Sequence, residues 1–593
     1  MPRTSLRYCL PVSALLLLPA LDGCSQVVGL NKLTISEAGS GGTDSTNGGT
    51  TNNSGGRSNS TAGGGSSASG AAAVGGATSV GGEASIGGTT SVGGTTTLGC
   101  TSNADCTKLA TAAAISGSAG ATSTTSTSPN VVPAVCLPAT GKCAPLLSED
   151  CNLVTGDYSN DRSIVIGSLF QTVGTTATQN IPRQQSAVLA VEEVNASGGI
   201  PSSKAGVGRP LVMVSCNAST DLVRAANHLV QDLKVPAIVG PNTSQDTIDV
   251  SNKVTIQAGV AVLSPSAVAA SIADLLDNDL TWLMIPSDDQ RAQLMIRQIN
   301  DLEVSLKATR NTANVKLSII YRNDALEIGT RTSLDKLQLN GKALSDPSNA
   351  GSATGNVHIV PYDYKQADQS AIVTKELAFA PDIVVLAGTA ESITKVLTPL
   401  EQQWTTGTNR PYYFIIDPSK GPELISAVTG NDDLRIRVRG TGTTPAKDSV
   451  AVANTFNLDY VARYGSYPTA SGTGPSYDAA YAIAYALAAT KDDAPSGTSV
   501  AKGLRRLAGG TVAVNTGTQD LLAAFQNLAS GKAVSATGTS CPLDWDANGT
   551  VKGGTIEMWC IGKSGDTPVF QSSGLSFDIK TQTYSGTYVQ CGS

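Results

Sequence analysis

The residues that could act on a bound molecule are mainly hydroxyls and amides, in loops that follow short apolar runs, as in AIVGPNTS and VAVLSPSA. Catalytic groups are scarce: the 593-residue chain holds two histidines, His228 and His358, and has neither a G-x-S-x-G nor an H-E-x-x-H motif. Hydroxyls and amides hydrogen-bond a polar ligand, but without a neighbouring base they are poor nucleophiles. The sequence therefore predicts a protein that binds a small molecule, with no enzymatic activity, no cofactor and no metal.

One segment imitates a calcium site. Asp544, Asp546, Asn548 and Gly549 follow the opening of an EF-hand loop, but Thr555 stands at the twelfth position, where calcium needs a glutamate. Asn-Gly is also a preferred dipeptide of tight β-hairpins. The segment is therefore predicted to be a hairpin turn.

An α/β pattern runs through the elements that must position the polar loops. Apolar runs such as SIVIGSLF, from Ser163, and PLVMVSC alternate with amphipathic stretches such as QQSAVLAVEEVNASGGI. This alternation is typical of a parallel sheet with helices on both faces. Further strands are predicted near 315–321, 357–361, 383–387 and 412–416, and helices over 289–302, 367–379 and 391–404. Glu192 and Glu193 are interpreted as a solvated helix face, and His228 as a partly exposed helix residue.

The first 23 residues have the features of an export signal. Arg3 and Arg7 precede an apolar stretch that is too short to span a bilayer. The stretch leads to LDGC, ending at Cys24, which resembles the lipobox of bacterial lipoproteins, in which the cysteine is acylated. We therefore expect residues 1–23 to be removed and Cys24 to hold the protein to a membrane of the cell envelope, facing the periplasm or the exterior.

Two segments separate this signal from the α/β part. Residues 24–99 are rich in Gly, Ser, Thr and Asn and nearly free of aromatic side chains, so they cannot bury enough apolar surface to fold. We predict that they form a disordered tether. Residues 100–160 are rich in cysteine and are predicted to be a small disulfide-linked segment, the collar.

The cysteines indicate an oxidising compartment. Nine of the 11 remain beyond Cys9, in the signal, and Cys24, and no C-x-x-C pair of the kind that holds zinc occurs. Disulfides are therefore expected, with at least one cysteine unpaired because the number is odd. Cys591 is predicted to pair with either Cys541 or Cys560.

The overall charge bears on the choice of partner. The net charge is −7 and no basic stripe interleaved with aromatic residues occurs, which argues against nucleic acid as a partner. The length beyond the tether is enough for two lobes.

Six segments occur in a recognisable order: AVLAVEEVNASGGI, AIVGPNTS, VAVLSPSAV, WLMIPSDDQ, SYDAAYAIAYAL and PLDWDANG. They resemble the type I periplasmic-binding fold, and most closely the leucine/isoleucine/valine-binding proteins and the extracellular ligand-binding receptor family, over roughly 162–561. The resemblance implies an α/β protein of two doubly wound parallel-sheet lobes joined by crossovers, the first near 282–287 and the second near 440–445. The implied limits are 161–288 and 446–540 for lobe 1, and 289–445 and 541–593 for lobe 2, which includes a C-terminal hairpin extension.

The resemblance also implies a set of ligand-binding residues in the cleft between the lobes. In the family, a serine matching Ser244 grips the ligand carboxylate, and a second loop, SPSAV, helps it. Leu326 and Thr389 stand where tyrosines often contact the ligand, and Asp417 is the nearest candidate for the acid that holds a ligand ammonium, or else a loop or capping residue. The implied set is Asn242, Thr243, Ser244, Ser266, Ala267, Val268, Leu326, Thr389 and Asp417.

Three functions follow as hypotheses. The first is a lipid-anchored solute-binding protein that captures a small polar, amino-acid-like ligand for an ABC-type membrane permease. The second is a surface receptor or sensor of the same fold, which signals to a partner by lobe closure without transport. The third is a structural envelope lipoprotein whose cleft is filled by its own side chains.

Overall fold

The computed structural model describes residues 99–107, 132–204, 206–350, 355–405, 409–468 and 470–592. The predicted signal peptide, with Cys24 and the predicted tether up to residue 98, lies outside this part of the chain. All the described residues belong to one unit, Gly93–Ser593. None of the helices described there is long and apolar enough to cross a membrane.

Lobe 1 is built on a six-stranded sheet. Its strands follow the order Thr281–Leu283, Ala261–Ser264, Ala237–Val239, Ile164–Phe170, Leu211–Asn217 and Cys151–Thr155. Every neighbouring pair is parallel except the last, which is antiparallel. The helices Ala177–Ala196 and Thr473–Thr490 cover one face, and the segment 222–233 packs on the other. Both faces are therefore buried, which explains the near-continuous apolar runs in the sequence.

Lobe 2 is built on an eight-stranded mixed sheet. Its strands follow the order Val357–Tyr362, Leu317–Arg322, Ile383–Ala387, Tyr412–Ile416, Val438–Thr444, Thr555–Ser564, Thr567–Asp578 and Thr583–Ser585. The first five strands are parallel to one another, and the last three are antiparallel additions at one side. The long helix Asp288–Arg310 covers one face of this sheet.

Most of the remaining elements are short. The other α-helices are Leu222–Asn227, Ser244–Val250, Ile256–Ala258, Ala325–Ser333, Ser370–Phe379, Ala390–Ser392, Thr398–Gln403, Pro422–Val428, Asp432–Arg437, Val450–Tyr464, Gly497–Leu504 and Thr518–Ala529. Wider π turns lie at His228–Asp232, Ser251–Thr255 and Ile393–Leu397, and tight 3-10 turns at Ala270–Ile272, Leu334–Lys336, Asp417–Ser419 and Lys447–Ser449. Two-stranded pairs join Ala134–Leu137 to Lys142–Pro145, Ile200–Pro201 to Gly208–Arg209, Gln338–Leu339 to Lys342–Ala343, and Val512–Asn515 to Val534–Thr537.

The predicted fold class, two doubly wound α/β lobes joined by crossovers, is confirmed. The chain passes between the two sheets after 283, after 444 and again before 555. The residue limits of the tether, the collar and the lobes stay predictions.

The helix Asp288–Arg310 is longer than the predicted 289–302. It begins after Ser287, whose amide donates to the side chain of Gln290 at 2.9 Å, as in a capping box. It ends at Asn311, which adopts the left-handed conformation with φ of 50°. The last two turns carry few apolar residues, so the sequence pattern fades there, although Leu306 is still buried.

The expected disulfides are confirmed. They are Cys100–Cys136, Cys106–Cys143, Cys151–Cys216 and Cys560–Cys591. The first two staple the collar, and the third ties it to lobe 1. Among the described cysteines, Cys541 alone has no partner, which resolves the alternative left open for Cys591. Three collar sulfurs lie within 4.8 Å of one another, but all three are in disulfides and offer no thiolate to a metal.

The Asn-Gly segment forms the predicted turn. Trp545 and Val551 face each other in an antiparallel bridge, and Gly549 has a φ of 73°. The Asp546 carboxylate accepts the amides of Asn548 and Thr550 at 2.9 and 3.0 Å. This carboxylate therefore holds the turn together.

Two side chains lie in more buried surroundings than the sequence suggested. Glu193 accepts the hydroxyls of Tyr477 and Tyr481, both at 2.5 Å, and burial raises its pKa. His228 is 9% exposed and hydrogen-bonds to the carbonyl of Leu146. The interpretation of Glu193 as a solvated residue was wrong because its partners come from a helix almost 300 residues away.

Candidate ligand-binding site

The two polar loops of lobe 1 lie side by side. One follows the strand Ala237–Val239 and the other follows Ala261–Ser264, and these strands are neighbours in the sheet. The carboxyl ends of parallel strands form the edge at which α/β folds bind their ligands. The structure thus brings together six of the predicted residues: Asn242, Thr243, Ser244, Ser266, Ala267 and Val268.

The hydroxyls of Ser244 and Ser266 connect the two loops. Ser244 Oγ accepts the amides of Val268 and Ala269, both at 3.1 Å. Ser266 Oγ donates to the carbonyl oxygen of Asn242 at 2.9 Å. Ser244 is only 2% exposed, and because its oxygen acts as an acceptor in both bonds, its own proton remains available to a further acceptor.

The start of the helix Ser244–Val250 faces lobe 2. Thr243 caps this helix, since its Oγ1 accepts the amide of Asp246 at 3.0 Å. The Asp246 carboxylate in turn accepts Gln171 Nε2 at 2.8 Å. Burial raises the pKa of Asp246, and so does the carboxylate of Asp324, which belongs to lobe 2. The two lobes therefore face each other across this point.

A buried arginine next to the second loop escaped prediction. Arg183 is 5% exposed and donates to Asn180 Oδ1 at 2.6 Å and to the carbonyl of Ser471 at 2.7 Å. A Cβ atom placed on Gly472 would lie 3.1 Å from both Arg183 Nε and Ser266 Cβ. The guanidinium is therefore a close neighbour of the predicted ligand loop.

The sequence did contain a signal for this arginine. Residues 180, 183, 187, 190 and 194 recur at helical spacing, and all five are buried in the structure. Helical periodicity thus places Arg183 on the inward face, together with Asn180. A charged residue on a largely apolar helix face is the kind of exception that points to a site.

In lobe 2, one arginine and several acids occupy the corresponding edge of the sheet. Arg322 ends its strand and forms ion pairs with Asp324, with Glu327 at 3.4 Å and with Glu391 at 3.6 Å. Its Nη1 donates to Thr389 Oγ1 at 3.1 Å. Three carboxyl groups therefore surround one guanidinium.

These acids differ in their ionisation. Glu327 is fully buried, and neither of its oxygens accepts a hydrogen bond from the described residues. Burial, together with Asp324, raises its pKa well above the usual range. Burial also opposes the charge of Glu391, but hydrogen bonds from Thr389 and the charge of Arg322 outweigh it and lower the pKa. The lowered pKa favours the carboxylate form of Glu391, which lies beside the predicted site residue Thr389.

Two of the predicted residues of lobe 2 lie near this cluster. Thr389 precedes a short helix, and both its hydroxyl and its amide contact the Glu391 carboxylate. Leu326 lies half-buried in the first turn of the helix Ala325–Ser333, one residue before Glu327. The sequence did not single out Asp324, Glu327 or Glu391.

Asp417 has a partner of its own. Its carboxylate pairs with Arg291 at 2.7 Å and accepts the amide of Thr443 at 3.2 Å. Its charge is therefore already balanced within lobe 2. A contact between Asp417 and a ligand ammonium stays a prediction.

The helix that begins at Ala325 rests on the second loop of lobe 1. Ala325 packs in one apolar cluster with Ala267 and Ala269. A Cβ atom on Gly329 would lie 3.4 Å from Ala269 Cα, so the backbones approach closely where the side chains are small. The lobes are thus in contact beside the loops that carry the predicted site.

Chemically, the two sides of this region differ. Lobe 1 offers donors from the hydroxyl of Ser244 and the guanidinium of Arg183, whereas lobe 2 offers carboxylate acceptors around Arg322. Donors on one side and acceptors on the other are the groups with which a pocket can orient a small polar molecule.

Sequence comparison assigns the family directly. Residues 163–520, more than half of the chain, match the family model described as periplasmic binding protein. No curated protein matches the chain.

Solved structures with a similar fold include transporter binding proteins. The leucine-binding protein LivK from Thermotoga maritima is 15% identical, with a TM-score of 0.50, and the match covers 69% of this chain and 97% of that one. LivJ from Streptococcus pneumoniae, a branched-chain amino acid transporter substrate-binding protein solved with isoleucine, is 19% identical, with a TM-score of 0.46 and coverage of 69% and 99%. An ABC transporter solute-binding protein from R. palustris, solved with benzoate, is 14% identical, with a TM-score of 0.46 and coverage of 69% and 96%.

At these sequence identities the solved structures indicate a similar fold only, whereas the match to the family model assigns the family. The matched family consists of extracytoplasmic solute-binding proteins and is not an enzyme family. The match spans five of the six strands of the lobe 1 sheet and the five parallel strands of the lobe 2 sheet. The chain therefore belongs to the periplasmic binding protein family.

Proposed function

We propose that this protein is a lipid-anchored solute-binding protein of the cell envelope, which captures a small polar, amino-acid-like ligand and passes it to an ABC-type permease. One observation supports the proposal: the polar loops of lobe 1 lie next to the helix of lobe 2 that begins at Ala325. Ala325 packs against Ala267 and Ala269 of the second loop. Closure of two lobes around a ligand is the usual motion of such binders. The proposed role is binding and not catalysis.

The proposed site uses both lobes. On lobe 1 it comprises Asn242, Thr243, Ser244, Ser266, Ala267 and Val268, and on lobe 2 Leu326 and Thr389. The remaining proton of Ser244 is directed to a ligand acceptor. For a ligand ammonium, Glu391 beside Thr389 is better suited than Asp417, because Arg291 already neutralises Asp417.

Ligand binding is testable by thermal unfolding of the purified full-length protein with amino acids, their amides, sugars and organic acids. Isoleucine, leucine and benzoate belong in the screen because solved relatives are named for them. A ligand at 100 times its Kd stabilises the folded protein by about 2.7 kcal/mol, which raises the unfolding midpoint. A well-folded sample whose midpoint responds to no compound would contradict the proposal and favour a structural protein.

Ser244→Ala is expected to weaken binding of the ligand found in that screen by about 1–3 kcal/mol, because a buried acceptor would lose its hydrogen bond. Isothermal titration calorimetry measures the loss. Ser251→Ala is the matched control, since Ser251 is also buried on this helical segment but bonds the hydroxyl of Thr281 at 3.1 Å. Equal affinity of wild type and Ser244→Ala would place the ligand elsewhere.

Cys24→Ala is expected to move the protein from the membrane fraction to the soluble fraction, because the acylated residue would be lost. Cys9→Ala, within the predicted export signal, is the control and should leave the distribution unchanged. Fractionation followed by immunodetection gives the result. Retention of Cys24→Ala in the membrane fraction would refute the lipid anchor.

A further inference from the structure

Arg183 is a buried positive charge without a counter-charge. It forms no ion pair with the described carboxylates, and burial alone acts on its pKa, lowering it to about 10. Other buried arginines differ in their surroundings: Arg291 pairs with Asp417 and Arg437 with Glu401. The charges of Asp492 and Asp493 act on Arg209, and Arg439, which forms no ion pair with the described residues, lies 4.3 Å from the ring centre of Tyr588. An unpaired buried charge is costly, so a protein that keeps one usually has a use for it.

The hydrogen bonds of Arg183 to the described residues do not involve all the N–H groups of its guanidinium. A guanidinium has five N–H groups. Three of them are directed at protein acceptors: Nε at the Ser471 carbonyl, Nη1 at Asn180 Oδ1 and Nη2 at Ser471 Oγ, the last at 3.4 Å. One N–H on each terminal nitrogen therefore lacks an acceptor among the described residues. One N–H group on each terminal nitrogen can be offered to the two oxygens of a carboxylate.

The position of Arg183 links it to the proposed site. Gly472 lies between Arg183 and Ser266: a Cβ atom added to this glycine would lie 3.1 Å from both Arg183 Nε and Ser266 Cβ. Asn180, which accepts from Arg183, also donates to the carbonyl of Gln171 at 3.0 Å. Gln171 directly follows the strand Ile164–Phe170, at the carboxyl end of the sheet. The guanidinium is therefore fixed at the same edge of lobe 1 as the two ligand loops.

We propose that Arg183 is the charge-recognising residue of this site and that the ligand is an organic anion whose carboxylate pairs with its guanidinium beside Ser266. This inference rests on the proposed function, since it requires a ligand between the lobes. It adds a residue that determines specificity for the carboxylate of that ligand.

The first test needs only the wild-type, full-length protein. Isothermal titration calorimetry compares benzoate with benzamide and isoleucine with isoleucinamide, pairs that differ in the carboxylate. A buried charge-assisted hydrogen bond predicts that the acid of at least one pair binds about 10- to 100-fold more tightly than its amide. Equal affinity of acid and amide would overturn the inference while leaving the proposed function intact. No binding by any compound of the wider screen would overturn both.

The second test uses variants. Arg183→Gln is expected to weaken binding of the preferred acid about 10- to 100-fold and to leave the amide unchanged, so that the selectivity disappears. Arg183→Lys keeps the charge without the planar fork and should retain part of the preference. An unchanged acid-to-amide ratio in Arg183→Gln would overturn the inference.

Arg209→Gln is the matched control for loss of a buried arginine in lobe 1. Arg209 is 7% exposed and also donates to backbone carbonyls, those of Arg162, Asp492 and Asp493. It lies before the strand Leu211–Asn217, at the opposite end of the sheet from the ligand loops. Its variant should unfold at lower temperature but keep the wild-type selectivity. If it lost the selectivity as Arg183→Gln does, the effect would be structural and the inference wrong.

Discussion

Replacing Glu401 by glutamine is expected to lower the free energy of unfolding by about 3–5 kcal/mol. The Glu401 carboxylate is 6% exposed and accepts both terminal nitrogens of Arg437, at 2.9 and 2.7 Å. Arg410 and the hydroxyl of Tyr413 also donate to it, each at 2.7 Å. A glutamine would turn an NH₂ group towards these donors and leave the buried Arg437 with the exposed Asp433 as its remaining counter-charge.

The pH dependence of this contribution has a definite sign. Burial opposes the charge of Glu401, but Arg437 outweighs it and lowers the pKa of the carboxyl. The stabilisation is therefore present above the ordinary pKa and is lost as the pH falls. Urea unfolding at pH 7 measures the full effect.

Glu192→Gln provides the control for this variant. Glu192 forms a two-point ion pair with Arg463 on the surface, where the arginine side chain is 50% exposed. Solvent screening limits such pairs to less than about 1 kcal/mol. Similar losses of unfolding free energy in Glu192→Gln and Glu401→Gln would contradict the prediction that a buried ion pair contributes more than an exposed one.

Replacing Asp288 by asparagine is expected to have the opposite effect and to stabilise the protein above pH 7. Asp288 is 4% exposed; its Oδ1 accepts the hydroxyl of Thr330 at 3.2 Å, and its Oδ2 accepts no hydrogen bond from the described residues. Burial raises the pKa of this carboxyl to about 7. The backbone N–H of Asp288 donates to the carbonyl of Val268, in the second loop of lobe 1, at 2.7 Å. The buried carboxyl group therefore lies where the two lobes meet.

The size of this effect follows from proton linkage. Between its ordinary pKa of 3.8 and about 7, folded Asp288 holds a proton that the unfolded chain has released. Stability therefore falls as the pH rises through this window, by about 1.4 kcal/mol per pH unit and about 4 kcal/mol in all. Asparagine carries no charge, so the variant escapes this loss.

The measurement is the difference in unfolding free energy between Asp288→Asn and wild type from pH 4 to pH 8. The difference should grow up to about pH 7 and then level off. Asp289→Asn is the control, because the neighbouring Asp289 side chain is 51% exposed. If the unfolding free energies of Asp288→Asn and wild type changed in parallel with pH, the predicted destabilisation by the Asp288 charge would be refuted.

The strands were predictable because their environment leaves a simple pattern. Ile383–Ala387 and Tyr412–Ile416 coincide with the predicted limits. Both lie inside a sheet covered on its two faces, where almost every position is apolar. Loops at the ends of such strands, including those with Ser244 and Ser266, could then be placed by topology alone.

Partners that lie far apart in the chain could not be predicted in this way. Arg291 neutralises Asp417 from 126 residues away, and Arg183 donates to Ser471 from 288 residues away. No local pattern encodes such pairs, since they depend on how two finished elements pack. The cysteines show the same limit, because the partner of Cys591 was fixed only by the fold.

The antiparallel strand Cys151–Thr155 has a consequence for the behaviour of the protein at high concentration. It occupies one end of the lobe 1 sheet, next to the apolar strand Leu211–Asn217, and the bond between Cys151 and Cys216 joins the two covalently. An uncovered strand edge offers unpaired amides and carbonyls to other molecules and is a frequent site of aggregation. The disulfide holds Cys151–Thr155 against Leu211–Asn217, so that the long apolar strand is covered and a shorter, more polar strand forms the outer edge of the sheet.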